Sequence, residues 1–245
     1  MEKLLKYSVL RYSPSIISGE RINLGILFSE ESIGFHMFRY TARLSRVRNF
    51  DDEVNLKSLR ALLRGIAKEV EESNQDFDIS AYIKYYINDF AFEKPNTIIY
   101  EDLDKTVNDL YGAYFRFDLA PDERPSKNAD RDILSRLIMS TGKNIYKKEF
   151  KGIYDEKISY DIVTDDYCVK LFDLDKKDLK RYINSAKLWA WNSDHEKNKQ
   201  VLIVYRYGDD ELAKEDFDII KKIFDESKGH FCSLEESMQL LSKAG

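Results

Sequence analysis

Polar side chains cluster near the start of the chain at a spacing suited to binding an anion. Arg11 lies in one predicted strand, while Arg21 and Asn23 lie in the next strand and Glu20 stands at its entrance. Two guanidinium groups on neighbouring strands can hold a phosphate or a carboxylate through paired hydrogen bonds. The alternative is that Glu20 pairs with one arginine and only fixes the loop between the strands. Both interpretations remain open at the level of sequence.

The second of these strands also carries an apolar set. Side chains alternate along a strand, so Arg21 and Asn23 are expected on one face, with Ile22, Leu24 and Ile26 on the other. The apolar face is expected to be buried and the polar face to bind. Gly25 lacks a Cβ, so we expect another part of the backbone to approach the strand there.

A second group of cations is interleaved with aromatic residues further along. Its members are Arg39, Arg43, Arg46 and Arg48. Residues 1–50 hold eight Lys or Arg and four Asp or Glu, although the whole chain has a net charge of −5. This pattern is compatible with binding to phosphate or nucleic acid. Ion pairs with acids such as Asp51 are the more common outcome for arginines in such a setting.

Composition limits the class of protein. With 245 residues and 43% hydrophobic content, the chain can form one large folded domain or two ordinary ones. The opening residues lack the apolar run of a secretory signal, and no segment reaches the roughly 18 apolar residues of a membrane span. We therefore expect a cytoplasmic protein. Cys168 and Cys232 have no metal-ligand spacing and are expected in the core.

The first half is predicted to form an antiparallel sheet with helices packed against it. Strands are predicted at residues 5–12, 20–29, 33–40 and near 97–100. Helices are predicted at about 55–73 with Asn55 as the cap, through Tyr82–Ile87, and after a cap at Asp102. This half is expected to be a domain of residues 1–119.

The opening segment also resembles a known family. The residues that carry the resemblance are Tyr7-Ser8-Val9-Leu10-Arg11-Tyr12 and Gly19-Glu20-Arg21-Ile22-Asn23-Leu24-Gly25. They are similar to a bacterial family called domain of unknown function 3037, over about residues 4–117. Its members are often encoded beside HipA-like kinase genes, so the resemblance implies a role with a protein partner and names no reaction.

Residues 120–127 contain two of the four prolines and are predicted to be a linker to a second domain, 128–245. In that domain the predicted elements are a helix at 133–138, strands at 149–154, 157–164 and 167–173, a helix at 179–189 and a strand at 200–206. The order α-β-β-β-α-β looks like the core of the restriction-endonuclease-like superfamily.

That second resemblance implies a metal-dependent nuclease site, in which a strand-borne Asp and an Asp/Glu-x-Lys segment bind a divalent cation and activate water. Asp161 corresponds to the first acid and Lys170 to the lysine, but Cys168 occupies the place of the second acid. Asp165 or Asp166 in the intervening turn is the remaining source of a carboxylate. A single carboxylate holds Mg²⁺ poorly, because hard cations bind several oxygens. No cofactor is expected unless the protein is a nuclease, which would need Mg²⁺.

The sequence therefore predicts an α+β protein of two domains that acts mainly by binding. The leading hypothesis is a non-catalytic protein-interaction component of a bacterial or phage defence, counter-defence or toxin–antitoxin system, with a bacterial or phage protein as partner. One alternative is a Mg²⁺-dependent nuclease that uses Asp161 and Lys170. Another is a nucleic-acid-binding module that uses Arg39 to Arg48. No association with a membrane is expected.

Overall fold

The chain divides into two compact units in the computed structural model, which describes residues 3–15, 20–74, 76–146, 150–174, 179–207 and 214–243. The units are Met1–Arg124 and Pro125–Gly245. The division falls within the segment predicted as a linker, where Pro121–Glu123 form a turn of 3-10 helix. Ser126 then accepts a hydrogen bond from the Ala129 amide and caps the first helix of the second unit.

The first unit is an antiparallel sheet with helices, as the sequence predicted. Its strands are β1 (Leu4–Tyr12), β2 (Ile22–Glu30), β3 (Phe35–Tyr40), β4 (Phe90–Phe92) and β5 (Asn96–Ile99). Its helices are α1 (Leu44–Phe50), α2 (Leu56–Glu71), α3 (Ile79–Tyr82) and α4 (Leu103–Tyr114). The strand order is β3-β2-β1-β4, and β5 pairs with another part of β1. The central strands β1 and β2 are buried over most of their length.

Two helices begin where the sequence placed their caps. The Asn55 side chain accepts hydrogen bonds from the amides of Lys57 and Ser58, both at 3.1 Å, at the start of α2. The Asp102 side chain accepts from the Lys105 amide at 2.9 Å at the start of α4. The apolar stripe of α2 is buried in a core shared with the sheet; its residues are Leu59, Leu63, Ile66 and Val70.

The predicted helix through Tyr82–Ile87 is wrong. Helix α3 ends at Tyr82, a 3-10 turn covers Ile83–Tyr85, and Asn88 has a positive φ of 66°. The chain must turn there because β4 follows at once and pairs with the end of β1. Asparagine adopts this left-handed conformation more readily than most residues.

The alternation predicted along β2 is also interrupted. Arg11 lies opposite Asn23, whereas Leu10 lies opposite Gly25, so Leu24 is an extra residue in the register. Beyond this bulge Ile26 pairs with Val9 and shares the face of Arg11 and Asn23, opposite to the prediction. Both faces of this part of the sheet are consequently apolar and buried.

The second unit contains a mixed sheet between helices. Its strands are β6 (Phe150–Lys151), β7 (Lys157–Ile158), β8 (Ile162–Val163), β9 (Tyr167–Leu174), β10 (Gln200–Tyr207) and β11 (His230–Ser233). Its helices are α5 (Lys127–Ser140), α6 (Leu179–His195), α7 (Lys214–Asp225) and α8 (Leu234–Lys243). The order is β11-β10-β9-β8, with β9, β10 and β11 parallel and β8 antiparallel. Helices α6 and α7 pack on each other and help to bury one core of this unit, and α5 packs on α8.

The single strand predicted at 157–164 is divided in two. Lys157–Ile158 pair with Phe150–Lys151 in a separate two-stranded ribbon, and Ile162–Val163 pair with β9. Between them the Tyr160 ring lies in the core, where it packs against Phe150 and Trp189. The chain as a whole is of the α+β class.

Candidate functional site

The polar residues of the opening segment meet at one end of the first sheet. Arg11 lies directly opposite Asn23 on β2 and Ala91 on β4. The Ser13 amide donates to the Asp89 carbonyl at 2.8 Å and extends the pairing beyond β1. The register therefore adds the residues around β4 to the site predicted from β1 and β2.

Arg11 forms an ion pair that the sequence did not indicate. Its Nη2 atom lies 3.1 Å from Oε1 of Glu93, and the two side chains are only 15% and 17% exposed. The Glu93 amide donates to the Val9 carbonyl at 2.9 Å, which fixes the carboxylate beside the sheet. Glu20, the partner considered from sequence, accepts a hydrogen bond from the Ser13 hydroxyl at its main-chain carbonyl, at 3.1 Å.

Asn23 and Gly25 have structural roles. The Asn23 amide nitrogen donates to the Tyr114 carbonyl at 3.4 Å, at the end of α4 where carbonyls lack helical partners. A Cβ on Gly25 would lie 2.3 Å from Cζ of Phe38 and 3.1 Å from the Arg39 carbonyl oxygen. Backbone was expected to approach Gly25; the Phe38 ring lies nearer than the Arg39 carbonyl, so a side chain is the closest neighbour.

Two buried tyrosines lie near the Arg11–Glu93 pair. The hydroxyl oxygens of Tyr7 and Tyr114 are 3.4 Å apart. Burial raises the pKa of Tyr114 to about 12 and raises the pKa of Tyr7 well above its ordinary value. Both phenols therefore stay protonated at neutral pH, so this cluster supplies hydrogen-bond donors and no phenolate base.

An open pocket of about 390 Å³ lies over this end of the sheet. Its polar lining includes Arg11, Ser13, Arg21, Asp89, Glu93 and Lys94. Arg21 and Lys94 are exposed, and within the described residues neither forms a hydrogen bond or an ion pair. The lining holds three cationic residues, Arg11, Arg21 and Lys94, and two acidic ones, Asp89 and Glu93, so its net charge is +1.

The second predicted group of cations is mostly engaged within the first unit. Arg39 stacks on Tyr111 with its Cζ 3.8 Å from the ring centroid and donates to Asn108 at 2.6 Å. Arg43 donates to the Phe117 carbonyl at 3.0 Å. Arg46 pairs with Asp118, whereas Arg48 is exposed and has no partner in the described chain. Three of the four arginines thus hold α4 and the turn after it.

Asp118 is the centre of this contact set. Its side chain is 1% exposed, and Oδ1 lies 2.9 Å from Nη1 of Arg46. Oδ2 accepts from the Thr41 hydroxyl at 2.6 Å, the Ala42 amide at 3.1 Å and the Tyr111 hydroxyl at 3.3 Å. The carboxylate therefore ties the segment between β3 and α1 to the end of α4. From the sequence, Asp51 was an expected partner of these arginines and Asp118 was not; the structure pairs Asp118 with Arg46.

In the second unit, Asp161 and Lys170 come together as an ion pair. Oδ2 of Asp161 lies 3.1 Å from Nζ of Lys170 and accepts from the Leu171 amide at 2.9 Å. Lys170 also donates to the Ser159 carbonyl at 3.3 Å and lies 4.8 Å from the centroid of the Trp189 ring. The carboxylate is already hydrogen-bonded, so this pair has the geometry of a structural contact.

The donors near Asp161 do not fit a magnesium ion. Cys168 is fully buried in the core, Asp166 pairs with Lys143 at 2.7 Å, and Asp165 accepts from Tyr146 at 3.2 Å. The hydrogen bond from Lys143 holds the pKa of the exposed Asp166 carboxyl below its usual range. Across the described ranges, no three His, Cys, Asp or Glu side chains are grouped to hold a metal ion. One engaged carboxylate is too few for a hard cation.

Replacing Asp161 by asparagine tests which role the pair has. We expect Asp161→Asn to lower the free energy of unfolding of the second unit by about 1 to 2 kcal/mol, because a charge-assisted hydrogen bond and an ion pair are lost. Urea unfolding followed by tryptophan fluorescence measures this, since Trp189 and Trp191 both lie in that unit. Asp155→Asn, which removes the exposed Lys151–Asp155 pair, is the control and should change stability by less than about 0.5 kcal/mol. Unchanged stability with loss of a Mg²⁺-dependent DNA cleavage activity would instead favour a nuclease.

None of the helices that the structure describes is long and apolar enough to cross a membrane.

Comparison with known proteins agrees with the first resemblance. The chain matches none of the curated proteins and none of the solved structures with which it was compared. Residues 7–114, which include all the lining of the pocket named above, match a family model described as Protein of unknown function (DUF3037).

Proposed function

We propose that the protein acts by binding a partner protein and performs no catalysis, as a cytoplasmic component of a bacterial or phage defence, counter-defence or toxin–antitoxin system. The observation that carries the binding role is an exposed apolar surface next to the pocket. Tyr85 is 83% exposed and Ile87 is 68% exposed, and Asn88 and Asp89 of the pocket follow them directly. The defence context rests on the resemblance of the first half to its family.

The segment that presents these side chains is held in a defined conformation. A 3-10 turn covers Ile83–Tyr85, Asn88 adopts a positive φ, and Asp89 is bonded to Ser13 through the main chain. An ordered surface loses little conformational entropy on binding, which favours affinity. Exposed tyrosines are also frequent among the residues that dominate the energy of protein interfaces.

The positive charges near Tyr85 and Ile87 indicate what kind of partner segment would bind there. Lys84 precedes the apolar pair and is exposed, and the pocket beyond it contributes Arg21 and Lys94. Cationic residues near exposed apolar side chains are complementary to a segment that carries acidic and apolar residues. We therefore propose an acidic, partly apolar segment of a bacterial or phage protein as the occupant.

Capture from the native host tests the proposal. We expect the tagged wild-type protein to recover one partner in stoichiometric amount, and the double variant Tyr85→Ser/Ile87→Ser to lose it. Tyr154→Ser is the matched control, because Tyr154 is 76% exposed but belongs to the second unit. Failure of the wild type to recover any protein, or equal recovery by the double variant, would contradict the proposal.

The second candidate is a Mg²⁺-dependent nuclease. The observation in its favour is the approach of Asp161, before β8, to Lys170 on β9, with β10 parallel to β9 after the helix α6. Its weakness is chemical, because the neighbouring oxygen donors are too few for Mg²⁺. Nucleic-acid binding by Arg39 to Arg48 has less support, since three of these side chains contact their own unit.

A further inference from the structure

We infer that the pocket binds an oxyanion, a carboxylate or a phosphate group, at Arg21, with Lys94 as a second cation of the same lining. That a partner protein carries this group rests on the proposed function; the anion site itself does not. The two sources share one chemistry, which is a pair of anionic oxygens that accept hydrogen bonds from a guanidinium group.

Three of the residues singled out in the opening segment already have a structural role. Arg11 is paired with Glu93, Asn23 bonds the end of α4, and Gly25 makes room for Phe38. Arg21 has no such role: it is exposed and contacts no hydrogen-bond or ion-pair partner in the described part of the chain. It therefore remains available to a ligand.

Arg21 and Lys94 reach the pocket from opposite sides of β1, from the start of β2 and from the end of β4. Arg21 directly precedes β2, whose first residue pairs with Tyr12, and Lys94 follows the Glu93 whose amide bonds β1. Both side chains line the same pocket of about 390 Å³, which is ample for one oxyanion and its water. The Arg11–Glu93 pair forms part of the same lining, whose three cationic and two acidic residues give a net charge of +1.

The negative charge of Asp89 lowers the affinity of the site for an anion. It is exposed on the same lining and lies directly after Asn88, so its charge opposes an isolated anion. A free oxyanion should consequently bind weakly, in the millimolar range. Removing the Asp89 charge should strengthen binding, and removing the Arg21 charge should weaken it; this pair of opposite effects identifies the site.

Inorganic phosphate is the first probe and acetate the second. Each is titrated into the isotope-labelled full chain at constant ionic strength, and amide chemical shifts are followed by NMR. We expect saturable shifts around Arg21, Ala91 and Lys94 with at least one probe, weakened about fivefold or more in Arg21→Gln and tightened about twofold to fivefold in Asp89→Asn. Arg64→Gln removes an exposed charge from α2 and should leave the affinity unchanged.

The outcomes separate this inference from the proposed function, because the titration uses no partner. Saturable binding that depends on Arg21 supports the site even if no protein is captured from the host. Phosphate indicates a phosphorylated group on the ligand, and acetate a carboxylate. Absence of saturable shifts with both probes, or shifts unaffected by Arg21→Gln, would overturn the inference even if a protein partner were found.

Discussion

Replacing Asp118 by alanine is expected to lower the free energy of unfolding of the first unit by about 3 kcal/mol. The Asp118 carboxylate is buried and accepts three hydrogen bonds besides its ion pair with Arg46. Truncation leaves the Thr41 hydroxyl and the Ala42 amide without their acceptor. Because Arg46 is 34% exposed, water can solvate its guanidinium and limit the loss. A change of this size is a large fraction of the stability of an ordinary domain.

Far-UV circular dichroism during urea unfolding measures the effect, and tryptophan fluorescence follows the second unit separately. The Asp118→Ala transition should occur at lower urea by circular dichroism, with the fluorescence transition unchanged. Asp122→Ala, on an exposed residue four positions away, is the control and should behave as the wild type. A stability loss below about 0.5 kcal/mol for Asp118→Ala would show that the contacts around the carboxylate contribute little.

The second large loss of stability is expected when Gly25 is replaced. Gly25→Ala should destabilise the first unit by about 2 kcal/mol, because the added Cβ would overlap the Phe38 ring. The Phe38 side chain is 6% exposed and packs against Tyr40 and Phe92, so it has little room to move. Elsewhere, replacing glycine by alanine without strain stabilises a protein by roughly 0.4 to 1 kcal/mol, so the sign of the effect is itself informative.

A double-mutant cycle with Phe38→Leu identifies the cause. The shorter leucine should relieve the overlap, so the two substitutions together should cost at least about 1 kcal/mol less than the sum of their separate effects. Urea unfolding of the four proteins by circular dichroism gives this coupling. Additive effects would mean that the ring does not determine the need for glycine, and that the Arg39 carbonyl, 3.1 Å from the added atom, is the obstacle.

Features with local causes could be predicted from the sequence. Asn55 and Asp102 cap their helices through hydrogen bonds to amides two or three residues away, so a short pattern contains the whole interaction. The same is true of the first three strands, whose apolar alternation and intervening turn favour an antiparallel meander. The α+β class follows from these local elements.

Features that depend on distant contacts could not be predicted. Leu24 is recognised as an extra residue of β2 only from the pairing of β2 with β1. Because of it, Ile26 lies on the face opposite to the one predicted from alternation. Glu93 lies 82 positions from Arg11, and Asp118 lies 72 positions from Arg46. Each acid stands in or beside an aromatic-rich run, Phe90-Ala91-Phe92 or Tyr114-Phe115-Arg116-Phe117, which was the available sign of a buried, paired carboxylate.

The polar residues predicted to share one site have different contacts in the structure. Arg11 and Asn23 contact other residues of the first unit, whereas Arg21 lines a pocket with Lys94, to which no short sequence pattern connects it. β4 brings these parts together by pairing with β1.

The most direct test of partner binding is calorimetric titration of the recovered partner into the wild-type protein and into Tyr85→Ser/Ile87→Ser. Loss of two exposed anchors should weaken binding by at least about 30-fold, or roughly 2 kcal/mol, while Tyr154→Ser should bind as the wild type does. Equal affinities for the wild type and the double variant would contradict the proposed surface, and the failure of any host protein to bind the wild type would contradict the binding role.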